Sequence, residues 1–244
     1  MPYKRSRRSR RTRRPRTRRT RRYRKRDADQ TRGRFKPRFL GTTKNGITPA
    51  FQTKLMYSQD YNVSTDGFGI YWQQYRLNGC NDPDYGLGGH SVYMWDQLTP
   101  LYNRYVVTGC KVEVVGRWRT NNIDTNPIVG NIIMTAGNVS LILPSSPGDA
   151  REKQLGFVHT QSDTRVYKVS RYYDIAQVLG VPKTRVRNDD VFSSLVSADP
   201  TSSTQAIMHI GFVNQNPAVV TNWQGQVTMT YYVKLFDPKQ FAQS

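Results

Sequence analysis

The chain begins with a run of arginines that no packed core can accommodate. Residues 4–26 read KRSRRSRRTRRPRTRRTRRYRKR, so sixteen of these 23 side chains are basic and almost none is apolar. Like charges at this density repel one another and there is nothing apolar to bury, so we expect the segment to be disordered on its own. Any fold must be built from the residues that follow it.

Charge therefore divides the chain into two parts of different character. Residues 1–38 hold 20 basic and two acidic side chains, a net charge of +18, whereas residues 39–244 hold 17 basic and 15 acidic side chains, a net charge of +2. Gly and Pro are frequent after the arginine run, as is typical of a linker. We predict an Arg-rich arm (1–38), a linker (39–50) and a nearly neutral folded domain (51–244).

The composition of the arm favours contact with phosphate. Arginine has a planar, permanently charged fork that binds phosphate oxygens in pairs, and neutralising phosphates releases counterions. A segment without a folded surface has no means to read base edges, so binding should be independent of sequence. A solvated tail or a nuclear localisation signal is the alternative interpretation, and import is compatible with nucleic-acid binding. The predicted nucleic-acid-binding residues are Arg5, Arg7, Arg8, Arg10, Arg11, Arg13, Arg14, Arg16, Arg18, Arg19, Arg21, Arg22, Arg24, Lys25, Arg26, Arg32, Arg34, Lys36 and Arg38.

After residue 50 the apolar side chains recur with a period of two, which indicates strands. The eight predicted strands are 51–58, 68–77, 105–119, 127–135, 138–143, 164–173, 205–213 and 223–236. Two short helices are predicted, one that Ser91 caps and that extends through Leu101, and one that Asp174 opens and Gly180 ends. Five long polar loops lie between these elements, at 78–90, 120–126, 144–153, 180–204 and 214–222.

This pattern predicts an all-β fold, an eight-stranded antiparallel jelly-roll sandwich preceded by a disordered Arg-rich N-terminal arm. An immunoglobulin-like sandwich, at roughly 100 residues, is too small for the 194 residues available. A compact domain has little use for loops of this length unless they contact something. We therefore expect the loops to form contacts between subunits.

The sequence shows no cluster of candidate catalytic residues, so we predict no enzymatic activity and no cofactor. The three histidines are isolated from one another and from the cysteines, and we interpret His209 as a hydrogen-bonded core or interface residue. Asp82-Pro83-Asp84 and Asp189-Asp190 are interpreted as an ordinary turn and a solvated acidic pair rather than calcium sites. Cys110 is expected to be a small core residue, and Cys80 to be the more accessible thiol.

No membrane insertion is expected, because no apolar stretch approaches the roughly 20 residues that span a bilayer. The N-terminus lacks the apolar segment of a secretory signal. Two cysteines are too few for a disulfide framework, which favours a reducing intracellular site of synthesis.

Three segments carry a resemblance to a known family: the arm at 4–26, WDQLTPLYNRYVVTGCKVEV at 95–114, and YKVSRYYDIAQVLGV at 167–181. With them the chain resembles the capsid proteins of circovirus-like circular single-stranded DNA viruses. The resemblance implies a small icosahedral (T=1) shell of 60 subunits, with the arms inward on single-stranded DNA. It also implies a virion and host-nucleus localisation, and nuclear import receptors and a cell-surface receptor as partners. Satellite RNA viruses share this plan, so DNA and RNA cargo both remain open.

The other interpretation is a non-viral basic nucleic-acid-binding or condensing protein with a β-sandwich body. A condensing protein has no need for a sandwich of nearly 200 residues with long loops. An RNA-binding protein usually spreads basic residues over its folded body as well, whereas this body carries only +2.

Overall fold

A computed structural model describes residues 38–40, 47–65, 69–86, 89–120, 129–162, 165–216 and 219–240. Its strands are β1 (Arg38–Leu40), β2 (Ala50–Thr65), β3 (Tyr71–Arg76), β4 (Tyr102–Thr120), β5 (Val129–Gly137), β6 (Phe157–Ser162), β7 (Tyr167–Asp174), β8 (Ser194–Leu195), β9 (Ile207–Asn214) and β10 (Thr221–Pro238). Its helices are α1 (Trp95–Leu98), α2 (Pro147–Glu152), α3 (Ile175–Leu179) and α4 (Lys183–Asn188). None of the described helices is long and apolar enough to cross a membrane.

The strands form two antiparallel sheets with jelly-roll connectivity. One sheet has the order β1-β2-β10-β4-β7, with β8 also paired to β4, and the other has the order β3-β9-β5-β6. Apart from the short β1 and β8, each sheet has four strands, and the chain crosses repeatedly from one sheet to the other. This arrangement is the eight-stranded jelly roll. The predicted fold class is confirmed.

The alternation of buried and exposed side chains along the strands places the core between the two sheets. In β10 every second side chain from Val227 to Leu235 is buried, as the pattern predicts, and the side chains between them are partly exposed. In β4 the register against β10 shifts between Val107 and Gly109, so a bulge interrupts the alternation there. Strict alternation of buried and exposed side chains in β4 therefore holds only beyond this bulge.

Aromatic rings fill the centre of the core. Trp118 and Trp223 stack with their centroids 5.2 Å apart, and Phe212 of the other sheet lies 5.3 Å from Trp223. The Trp223 indole donates a hydrogen bond to the Thr221 hydroxyl at 3.0 Å. Tyr61 and Tyr167 are joined through their hydroxyls, and burial raises the pKa of both.

Three local predictions differ from the structure. Residues 138–143 do not form a strand, because the Asn138 side chain accepts a bond from Ser140 N and closes a turn directly after β5. The strand β6 was not predicted. Ser91 does not cap a helix: α1 begins only at Trp95, after Met94 in the left-handed conformation at φ 67°.

The second predicted helix is confirmed at both ends. Asp174 accepts a hydrogen bond from Ala176 N at 3.1 Å, which is the expected N-cap. Gly180 ends α3 at φ 68°, a conformation that a glycine adopts without steric cost. The predicted loops 144–153 and 180–204 also contain short helices, α2 and α4.

Candidate functional site

The predicted nucleic-acid-binding residues lie outside the described residues, with the exception of Arg38. The backbone of Arg38 pairs with Gln52 in the register of β1 against β2. This strand begins at the last residue of the predicted arm and extends into the predicted linker. The described chain therefore begins at the edge of the larger sheet, next to the first residues of β2.

No group of three or more His, Cys, Asp or Glu side chains within the described ranges could hold a metal ion. The acidic pairs serve the fold instead. Asp82 pairs with Arg76 at 3.3 Å, and Asp84 accepts a hydrogen bond from Gln59 at 3.0 Å. Asp189 caps the short 3-10 turn that follows α4.

Both cysteines are buried and unpaired. Cys110 lies in the core, as predicted. The prediction that Cys80 is the more accessible thiol is wrong, because Cys80 is fully buried and its amide donates to the Tyr105 hydroxyl at 3.3 Å. Burial raises the pKa of both thiols, so neither is a reactive thiolate at neutral pH.

His209 is a buried polar group outside the core between the sheets. It lies on β9, on the side of the smaller sheet that faces away from the larger one, and only 5% of it is exposed. The prediction that His209 is buried is confirmed, but the prediction that it is hydrogen-bonded is wrong, because neither ring nitrogen has a hydrogen-bond partner in the described part of the chain. Burial lowers its pKa to about 4, so the ring is neutral at physiological pH.

Apolar side chains are exposed in the long loops. Tyr93 and Met94, between β3 and α1, are 74% and 49% exposed, and Met56 of the neighbouring β2 is 54% exposed. These three line a cleft of about 760 Å³ that Ser91 and Trp95 also border. Tyr93 N donates to Met56 O at 2.8 Å, which holds the loop against the edge of β2.

Other exposed apolar residues lie farther along the chain. Ile142 is 79% exposed in the loop between β5 and α2, and Val191 and Leu195 are 62% and 55% exposed between α4 and β9. Sequence reasoning predicted contact loops but not these residues. The adjacent apolar residues Tyr93 and Met94 were visible in the sequence, but they were assigned to the predicted helix that Ser91 caps.

Comparisons with known proteins give only distant structural likenesses. No protein-family model matches the chain, and no curated protein matches it. A structure from tobacco necrosis virus is 11% identical over 84% of this chain and 89% of its own, with a TM-score of 0.40.

A structure from cocksfoot mottle virus is 8% identical over 77% of this chain and 96% of its own, with a TM-score of 0.45. A structure from a semi-empty virus-like particle of giant freshwater prawn (Macrobrachium rosenbergii) nodavirus is 12% identical over 77% of this chain and 97% of its own, with a TM-score of 0.37. These scores are low, and the jelly-roll assignment rests on the strand pairing itself.

Proposed function

We propose that this chain is a viral capsid protein that assembles into a small icosahedral shell of 60 copies. The arms would bind single-stranded nucleic acid inside the shell. The observation that carries the proposal is the combination of a nearly neutral jelly roll with an arm of net charge +18 tethered at the edge of its larger sheet. Jelly rolls occur in viral capsid proteins, lectins and cupins, and a polycationic arm has a use only in the first of these.

Two driving forces support assembly. Exposed apolar loop residues such as Tyr93 and Ile142 provide surface to bury between copies. Arm–phosphate contacts release counterions and concentrate subunits on the polyanion. Because the arms repel one another, empty shells should form poorly at low salt.

The finer parts of the proposal rest on the resemblance of the segments 95–114 and 167–181 to circovirus-like capsid proteins. They are a circular single-stranded DNA cargo, the 60-subunit count, assembly in the host nucleus with the arm as import signal, and a cell-surface receptor. The viral structures named above do not test these points.

The test is assembly of the full chain at low salt with single-stranded DNA, single-stranded RNA or no polyanion, followed by electron microscopy and nuclease digestion. We expect uniform particles that protect a single-stranded cargo, and few particles without polyanion. Efficient assembly without nucleic acid would refute the role of the arm. Monomers coating the nucleic acid would instead support the basic nucleic-acid-binding protein.

A further inference from the structure

The two sheets present very different outer faces. On the larger sheet, the side chains of β2, β10, β4 and β7 that alternate with the buried core residues point away from the smaller sheet. We call this surface the polar face. Its basic residues are Lys54, Arg104, Lys111, Arg117, Arg119, Lys168 and Lys234.

The polar face has few acids, and they are bound to lysines or amides. Glu113 contacts Lys168 at 3.0 Å and Lys111 at 3.3 Å. Partial burial alone would raise the pKa of Glu113, but hydrogen bonds from both lysines lower it, so it stays ionised. Asp174 pairs with Lys183 of α4 at 2.8 Å, and Asp60 accepts a hydrogen bond from Gln226. On these four strands, seven basic residues thus face three carboxylates. Asp189 and Asp190, which follow α4, border the same pocket as Lys234.

The outer face of the smaller sheet has no such charge. Its outward positions on the described strands β3, β5, β6 and β9 include the buried Ile133, Ile207 and His209. Arg76 is the one basic residue among those positions, and Asp82 binds it. Among the described strands, those of the larger sheet therefore offer a polyanion the more favourable outer face.

The polar face has the dimensions of a short stretch of single strand. Arg117 pairs with Gln224 and Lys54 pairs with Tyr232, and these two β10 positions are eight residues apart. At about 3.4 Å per residue, the two basic ends lie about 27 Å apart. Hydroxyl and amide side chains such as Ser58 and Thr228 lie between them, and such groups contact phosphate and sugar without reading sequence.

Aromatic rings accompany the lysines at one end. Tyr172 and Tyr232 meet edge to face with centroids 5.6 Å apart, and Lys54 Nζ lies 5.0 Å from the Tyr232 ring centre. Tyr172 is 44% exposed, so part of its ring is accessible to an unpaired base. Base stacking on such rings tolerates any sequence.

The chain enters the domain at this same end. Gln52 pairs with Arg38 of β1 on one side and with Lys234 of β10 on the other. Arg38, the last residue of the predicted arm, therefore lies one strand away from Lys234 at the lysine end of the polar face.

We propose that the polar face is a second nucleic-acid surface, which binds the backbone of a single strand between Lys54–Lys234 and Arg117–Arg119. It rests on the proposed packaging function and adds to it a site on the folded domain. The face would then line the inside of the shell, and the smaller sheet would lie on the side away from the cargo.

The test is the salt dependence of oligonucleotide binding by the full chain, at a protein concentration too low for particles. The double variant Arg117→Gln/Arg119→Gln removes two exposed charges from the polar face. If both arginines contact phosphates, the slope of log K against log salt should become shallower by about 1.4. Lys54→Gln/Lys234→Gln, at the other end, should shift the slope in the same direction.

The matched control is Arg151→Gln/Lys153→Gln, which removes two charges from α2 and the residue after it. That segment packs against β5 and β6 of the smaller sheet. The salt-dependence slope of this control variant should remain that of the parent chain. Thermal melts should confirm that all variants fold. If the control changes the slope as much as the polar-face variants, or if no variant changes it, the polar face does not bind nucleic acid. Particle formation, assayed separately, reports on the proposed function independently.

Discussion

The stacked pair of Trp118 and Trp223 shows how single residues shape this core. Gly130 of β5 lies against both indoles, and a Cβ built there would lie 2.7 Å from atoms of each ring. The stacked rings are fully buried between the two sheets and have no space to withdraw. A glycine is required at this position by packing rather than by backbone conformation.

Gly130→Ala should therefore destabilise the domain by roughly 1–3 kcal/mol, because an overpacked core forces its neighbours to shift. The measurement is the free energy of unfolding by urea. Gly69→Ala is the matched control, since nothing lies within 4 Å of a Cβ at that exposed position. Equal effects of the two substitutions would contradict the packing role of Gly130.

His209 should make stability depend on pH. Its pKa is lowered from 6.5 to about 4 by burial, so between these values the unfolded state binds the additional proton. Stability should be full above about pH 6.5 and fall by up to about 3 kcal/mol as the pH drops to about 4. Unfolding measured across this range should show a smaller loss in His209→Gln. An unchanged pH dependence in the variant would show that His209 is not the group responsible.

At the level of elements, the loop between β3 and α1 has the features of a contact surface. Met94 holds a left-handed backbone conformation that is unusual for a residue with a side chain, and such strain often persists at functional positions. Its side chain and that of Tyr93 are presented to solvent at the mouth of the cleft.

Tyr93→Asp should block particle formation, because it would place a charge in an apolar contact between copies. The unfolding free energy should change by less than about 0.5 kcal/mol, since this exposed side chain contributes little to the monomer. Oligonucleotide binding by the unassembled chain should also be retained, because Tyr93 belongs neither to the arm nor to the polar face. Normal particle yields from the variant would exclude this loop from the subunit contacts.

The elements that the sequence predicts are those with local, periodic signals. The strand β10 alternates without interruption over Val227–Leu235, and α3 carries both of its caps in the sequence. The strand β6 could not be predicted, because none of its side chains is buried and they show no alternation. The bulge in β4 could not be predicted from the sequence either, because it depends on pairing with β10. The polar face required the register of four strands that are distant in sequence.

At the scale of the whole molecule, the arms would set the capacity of the proposed 60-subunit shell. Sixty arms of net charge +18 supply about 1,000 positive charges, so charge matching predicts a cargo of roughly one to two thousand nucleotides. Extraction and sizing of the protected nucleic acid checks this value. A cargo several times longer would require a different number of subunits or additional cations.

Deletion of residues 1–38 should leave the domain folded and abolish packaging. Only the Arg38 position of β1 is lost from the described sheet, and the core is untouched. Circular dichroism, thermal melting and nuclease protection measure the two outcomes separately. An unfolded truncation would refute the boundary between arm and domain.

The most direct test of the shell hypothesis is the mass of the full chain in solution, with and without an excess of single-stranded nucleic acid at low salt. Sixty copies of a 28.1-kDa chain amount to about 1.7 MDa of protein. We predict a uniform species of at least that mass when nucleic acid is present, and mostly small species without it. A chain that remains monomeric on the nucleic acid under these conditions would contradict the account.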